Sequence, residues 1–247
     1  KKNVSGVSSV TQFIIDNNKE VDYIHFVLGK RDNQKGGVRR IPSVIIKLIE
    51  WVFLLWRNPD AIIHYNFPLS KPSILRDPVV IWIARRMHRK LLIHVHGGLF
   101  LFAPKISKKI ERILQWVFSG DNPVVVLSEK EKTVLFNRFC CKNILVLPNC
   151  IEQNNAKNYK RTFASSPVAH LGYLGRISRT KGLNELLQAC LVMKQQSIPF
   201  FLEFAGSEDI GEQIISQYET SLKDSFHYCG IVSGQEKIDF MKRVEIF

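Results

Sequence analysis

The feature that most restricts this chain is the regular alternation of short apolar runs with amphipathic stretches over residues 169–247. Residues 169–175 (AHLGYLG) form an apolar run that ends in Gly175. After a polar turn at 176–180, Leu183, Leu186, Leu187 and Cys190 recur at i, i+3, i+4 and i+7, one face of a helix. Thr180 is the expected N-cap. Pro199 then precedes 200–205 (FFLEFA), a strand-length run closed by Gly206. A second helix is expected over about 211–222, a strand at 226–232, a helix at about 235–243, and a further strand from 245. Strands and helices of this length in strict alternation point to parallel βαβ units.

Residues 1–150 repeat the rhythm less cleanly. Strands are expected at 21–28 (VDYIHFVL), 61–65, 91–95, 124–127 and 144–147. Val7, Val10 and Ile14 mark a first helix, 44–56 reads as a mostly buried helix, and another is expected near 78–89. Ile106, Ile110, Ile113, Leu114 and Val117 outline one more amphipathic helix. A boundary falls at Pro148-Asn149-Cys150, and the polar stretch 151–166 reads as a linker between an N-terminal domain, 1–150, and a C-terminal one, 167–247. No strand precedes the first helix, and the sequence stops as a new strand begins. The first domain is therefore expected to lack its first strand, the second to be incomplete, and the chain to be part of a longer protein.

The net charge of +13 is not evenly spread. Residues 1–150 carry 24 Lys+Arg against 11 Asp+Glu, whereas 151–247 carry 11 of each. A basic first half should attract something anionic: phosphates, an acidic lipid surface or nucleic acid. Lys105, Lys108, Lys109 and Arg112 share the polar side of one helix, a patch that suits an anionic membrane surface or a lipid-phosphate acceptor, or that is simply solvated. Arg85, Arg86, Arg89 and Lys90 fall at a helix C-terminus, where cations are favoured in any case. The most apolar window, 45–56, is too short to span a bilayer and contains Lys47 and Glu50. Residues 1–20 lack an apolar segment followed by a small-residue cleavage site, so a cytoplasmic location, at the inner face of the membrane, is expected. The five cysteines are odd in number and lack metal-ligand spacing, which fits reduced thiols and no metal site.

The strongest chemical signal is the segment from Gly172 through Gly175 and Arg176 to Lys181 and Gly182. A strand ends, a glycine turns the backbone, and a helix begins with free N–H groups that suit phosphate oxygens. Arg176 offers a planar fork and Lys181 a compact charge. The bland reading is a βα turn with two solvated cations. The spacing is not GxGxxG, which disfavours a nicotinamide enzyme.

This segment, LGYLGRISRTKGLNELLQA, resembles the donor-phosphate segment of the family-four glycosyltransferases of GT-B fold. Other pieces agree in order. Ser5-Gly6-Val7-Ser8 resembles the family's Gly-rich loop, Asp60 to His64 its acidic-start strand, and Ile93-His94-Val95-His96-Gly97 its strand ending in His-Gly. Val126 to Ser128, and Leu147 to Ile151 with Cys150 where Gly is usual, resemble its later strand ends, as do Phe204 to Gly206 and Tyr228 to Val232.

The resemblance implies two Rossmann-like doubly wound domains facing a cleft, and transfer of a sugar from a UDP- or GDP-linked donor to a glycan or lipid-linked acceptor. It further implies retention of the anomeric centre, no metal, and a role in cell-surface polysaccharide or glycolipid synthesis. The donor diphosphate would meet Arg176, Lys181 and the backbone of Gly6. The base would lie near Gly206, Gly230, Ile231 and Val232. His96 would face the reacting sugar as the catalytic residue. Its bland alternative is a structural strand-end histidine. His94 reads as alternating to the other face and packing there, and His64 as packing or cleft. The family's Glu, seven residues, Glu motif would fall beyond residue 247. Two rivals stand beside this reading. One is a non-catalytic nucleotide-sugar or glycan-binding remnant. The other is a nucleic-acid binder, suggested by a pI of 9.6 but lacking any recognisable nucleic-acid module, so no nucleic-acid partner is expected.

Overall fold

The computed structural model describes residues 6–28, 41–149, 167–209 and 211–247. The linker expected at 151–166 lies outside them, as do Ser5 and Cys150. The chain divides into two compact units, 1–152 and 153–247.

The first unit opens with α1 (Gly6–Asn17) and α2 (Ile41–Arg57). It continues with β1 (Ile63–Phe67), α3 (Lys71–Arg86), β2 (Leu91–Val95), α4 (Leu99–Phe102), α5 (Lys108–Phe118), β3 (Val124–Val126), α6 (Glu129–Phe139) and β4 (Ile144–Val146). The four strands pair in parallel in the order β1-β2-β3-β4. β3 is wholly apolar and buried, as a strand covered on both faces requires, whereas β1 carries His64 and Asn66 and β4 is only partly buried. Phe67, Ile93, Val95, Val126, Phe118 and Phe139 are wholly buried, each such side chain worth about 1.5–3 kcal/mol of burial.

Several expectations change here. Residues 21–28 form no strand; Val21, Ile24 and Val27 are exposed, with no ladder partner among the described residues. Apolar composition makes a strand only where a neighbour takes its hydrogen bonds. The helix expected at 78–89 begins seven residues earlier. Ser73 Oγ accepts from the Ser70 amide at 2.8 Å to open α3, and Pro78 sits inside it. The helix expected as mostly buried, α2, buries Trp51 and Leu55 but exposes Ile45, Ile46, Ile49, Phe53 and Trp56. Arg85 does not cap its own helix. Its guanidinium bonds the carbonyls of Trp116 and Val117 at the end of α5 and Asn122 Oδ1 at 2.8 Å.

The second unit holds β5 (Ala169–Leu174), a 3-10 turn at Arg179–Lys181, α7 (Leu183–Gln195), β6 (Phe200–Ala205), α8 (Ile214–Leu222), β7 (Phe226–Tyr228) and α9 (Gly234–Arg243). The strands are parallel in the order β5-β6-β7. After α9 the chain returns to the free edge of β5. Ile246 bridges Leu171 in parallel, and the Gly172 amide donates to the Ile246 carbonyl at 2.8 Å. Of the strand expected from 245, only a single bridge at Ile246 forms, on the far side of β5, and this reverses the strand order. Helices cover both faces. Phe204 packs with Leu183, Leu187 and Tyr218 on the α7/α8 side, while Ala205 packs with Phe240 and Val244 on the α9 side. Gly172 is where the return passes closest, since a Cβ there would lie 2.5 Å from Val244 Cγ1.

Candidate functional site

In the second unit the sequence-predicted residues gather at the carboxyl ends of three adjacent strands. Gly175, just past β5, donates to the Ala205 carbonyl at 2.9 Å, and Gly206, just past β6, donates to the Gly230 carbonyl at 2.8 Å. Gly206 has φ +149°, and a Cβ on it would lie 1.7 Å from the Gly175 carbonyl oxygen. Only a glycine allows the two strand ends to approach this closely. The loops beyond also pair. The Ile177 amide donates to the Ser207 carbonyl at 2.9 Å, and the Asp209 amide to the Ile177 carbonyl at 3.0 Å. Gly230 has φ +75°, Ile231 is exposed, and Val232 packs with the α9-side cluster.

The strand order reverses beside β5, so its carboxyl end is the topological switch point of this sheet. In open α/β sheets that crevice is where ligands bind. Arg176 and Lys181 stand there. Arg176 is exposed and lies 3.9 Å from Asp209, an ion pair too long and too solvated to hold it firmly. The Lys181 side chain is exposed, with no ion pair among the described residues. The N-cap of α7 is Gly182 at φ +76°, not Thr180, whose hydroxyl bonds Ser178 Oγ at 3.1 Å. Gly182 brings no side chain to the first-turn amides, so among the described residues no side chain caps them, with Glu185 the acid of that turn. The neighbouring helix differs: Glu208 accepts from the Ile214 and Ile215 amides and closes the start of α8.

In the first unit, His96 follows β2 and its Nε2 lies 2.7 Å from Asn66 Oδ1 on β1. Asn66 Nδ2 donates to Thr11 Oγ1 on α1 at 3.1 Å, and Thr11 donates to the Val7 carbonyl at 2.8 Å. His96 Nε2 therefore carries the proton it shares with Asn66, which leaves Nδ1 as an acceptor. His94 does not face away from His96. The two rings are 4.0 Å apart, as side chains two residues apart on a strand share a face. His94 is 2% exposed, with Nδ1 3.0 Å from His64 Nε2 and Nε2 buried without a partner among the described residues. Burial, then the neighbouring imidazoles, pushes His94 and His96 down to about 4, and burial also lowers His64. All three are neutral near pH 7. On α3, Arg76 pairs with buried Asp77 at 2.6 Å, and burial holds that carboxyl up at about 6. Asn66 and Thr11 were missed in the sequence, although Asn66 lies two residues from His64 and so on its face.

Gly6 is the first residue of α1, exposed, with nothing within 4 Å of an added Cβ. Lys108, Lys109 and Arg112 lie on the exposed side of α5, and Lys105 is exposed just before it. Cys140, Cys141, Cys190 and Cys229 are free thiols. Glu203, His227 and Cys229 on β6, β7 and just beyond β7 bring potential ligand atoms within 4.8 Å, a grouping made by register and invisible to sequence spacing. Burial pushes the Glu203 carboxyl up, but Arg243 Nε and Nη2, bonding Oε2 and Oε1 at 2.8 and 3.0 Å, together with the Cys229 thiol, hold it below its usual range. A metal ion there would have to displace that fork.

No family model matches the chain, and no curated protein matches it in sequence. Solved structures do. The chain is similar to TarM, at 16% identity and a TM-score of 0.57 over 78% of this chain and 38% of that one. It is similar to sucrose-phosphate synthase from Thermosynechococcus elongatus at 12% identity and 0.57, over 84% of this chain and 54% of that one. A glycosyltransferase from Rickettsia africae aligns at 15% identity and 0.54, over 98% of this chain and 62% of that one. The chain thus spans from 38% to 62% of the length of these structures. At such identities the likeness shows the fold, and that fold is the α/β GT-B arrangement of two parallel-sheet units.

Proposed function

We propose that this chain carries the donor-binding and sugar-facing parts of a glycosyltransferase that uses a UDP- or GDP-linked sugar. The observation that carries the reading is the switch point of the second sheet. There an uncapped α7 N-terminus, Arg176 and Lys181 surround the glycine-lined end of β5. A leaving diphosphate gains charge as the glycosyl bond breaks, and preorganised cations and amides placed there each lower the barrier by roughly 2–4 kcal/mol. Two cations and a helix terminus supply that charge without a metal. The base is proposed to rest near Gly206, Gly230, Ile231 and Val232.

His96 is proposed to act on the transferred sugar. Neutral and oriented by Asn66, it offers Nδ1 as hydrogen-bond acceptor for a sugar hydroxyl rather than a positive charge. Gly6 is proposed to bring a backbone amide to the diphosphate from the start of α1. Retention of configuration, a glycan or lipid-linked acceptor, and a place in cell-surface polysaccharide or glycolipid synthesis complete the proposal. A mass-spectrometric screen of nucleotide sugars for binding and donor hydrolysis tests it. One donor class is expected to bind and release free nucleoside diphosphate. If no nucleotide sugar or nucleoside diphosphate binds, the reading fails.

A further inference from the structure

The helices α2, α3 and α5 of the first unit lie side by side, α2 against α3 and α3 against α5. Their outward faces are not those of solvated helices. On α2, Ile49, Phe53 and Trp56 point outward, Trp56 being 67% exposed. On α3, Leu75, Val79 and Trp82 fall at i, i+4 and i+7, with Leu75 75% and Trp82 55% exposed. Trp116 on α5 adds a third exposed indole beside Lys109 and Arg112. Three of the chain's four tryptophans thus stand in water on one set of neighbouring helices. An apolar surface of this kind is normally covered by something.

We propose that this face docks on an anionic lipid surface, with the indoles and Phe53 entering the headgroup region and the cations meeting lipid phosphates. Charge chooses this occupant over a second copy. Residues 1–150 carry +13 and the remainder is neutral, so two such faces would repel one another, whereas an anionic leaflet attracts them. The cations are also interleaved with the rings. The Arg57 guanidinium lies 4.4 Å from the Phe53 ring, and Lys109 and Arg112 are exposed on the helix that carries Trp116. Aromatic side chains with an apolar body and a polar edge settle at the membrane–water boundary, and basic residues beside them add electrostatic attraction. Attachment by charge alone would be released fully by salt; attachment through buried indoles would not. The proposal is independent of the sugar-transfer reading.

The test is partition of the chain onto vesicles of phosphatidylcholine alone and of phosphatidylcholine with phosphatidylglycerol, some with brominated acyl chains. The wild type should bind the anionic vesicles, its tryptophan emission should shift to the blue, and the bromines should quench it. Trp56→Glu with Trp82→Glu should weaken partition about tenfold or more. Unchanged UDP and GDP binding and an unchanged melt would show that fold and donor site are intact. Should the double variant melt early, Leu75→Gln, at the most exposed of these positions, is expected to weaken partition several-fold by itself. Binding to anionic vesicles without quenching, equal partition of wild type and variants, or a solution dimer dissolved by the same substitutions would each overturn the proposal.

Discussion

The end of β2 and the end of β5 are built on opposite principles. In the first unit, side chains make the site: His96, Asn66 and Thr11 form a chain of hydrogen bonds, with His94 and His64 stacked behind. In the second, the backbone makes it, through Gly175, Gly206 and Gly230, and the charged side chains extend into solvent. A site made of mutually bonded side chains is rigid but sensitive to the loss of any partner. A site made of strand ends tolerates loss of its charged side chains while failing if a glycine gains a Cβ. Stability and nucleotide binding should therefore separate in the second unit, whereas stability and turnover should move together in the first.

The largest effect should come from Gly206→Ala. A methyl group 1.7 Å from a backbone oxygen cannot be housed without separating β5 from β6, a cost of roughly 3 kcal/mol or more. A thermal melt of the variant should show the second unit unfolding far earlier; a wild-type melt would mean that the glycine edge is not tight. Next comes Asn66→Ala, which removes the acceptor from His96 and a donor to Thr11, at about 1–3 kcal/mol in denaturant titration. If sugar transfer proceeds as proposed, His96→Ala and Asn66→Ala should both lower turnover while leaving nucleoside diphosphate affinity nearly unchanged.

Acidification should distinguish the units next. His94 and His96 fall to about 4 in the folded state, so the stability they support is complete above the ordinary value of 6.5 and is lost as pH falls from there toward 4. Asp77, raised to about 6, acts in the opposite sense and stabilises as pH falls over the same range. Two histidines against one carboxyl give a net fall. The first unit's melting temperature should drop between pH 6.5 and 4.5, and His94→Leu should flatten the slope. An unchanged slope would place the titrating groups elsewhere. The smallest stability effects belong to Arg176→Ala and Lys181→Ala, within about 0.5 kcal/mol of wild type, because both side chains are exposed.

The same contrast explains what the sequence revealed. The second unit was legible because each strand end is punctuated by a glycine and each helix by its apolar spacing; β6 falls at Phe200–Ala205 as read. Where α7 begins was not legible, since Thr180 carries a capping residue's chemistry while Gly182 holds the left-handed conformation at the helix start. In the first unit, α2 is apolar over most of its circumference, and composition alone cannot say which part of such a helix is covered. Residues 21–28 misled for the reason that strands are pair properties. His94 lies on the face of His96, not the opposite one, because side chains two residues apart on a strand point the same way. Asn66 escaped notice because its importance lies in register across to His94 and in reach to Thr11, neither of which is a local pattern.

If the sugar transfer proceeds as proposed, the end of β5 is a diphosphate site. Calorimetric titration of UDP and of GDP into the wild type, Arg176→Ala and Lys181→Ala tests it directly. Binding of one nucleotide by the wild type is predicted, weakened by roughly 1–3 kcal/mol in each variant, the usual scale for a lost charge-assisted hydrogen bond, with melts unchanged. Equal affinity in all three proteins, or no binding of either nucleotide to the wild type, would contradict it.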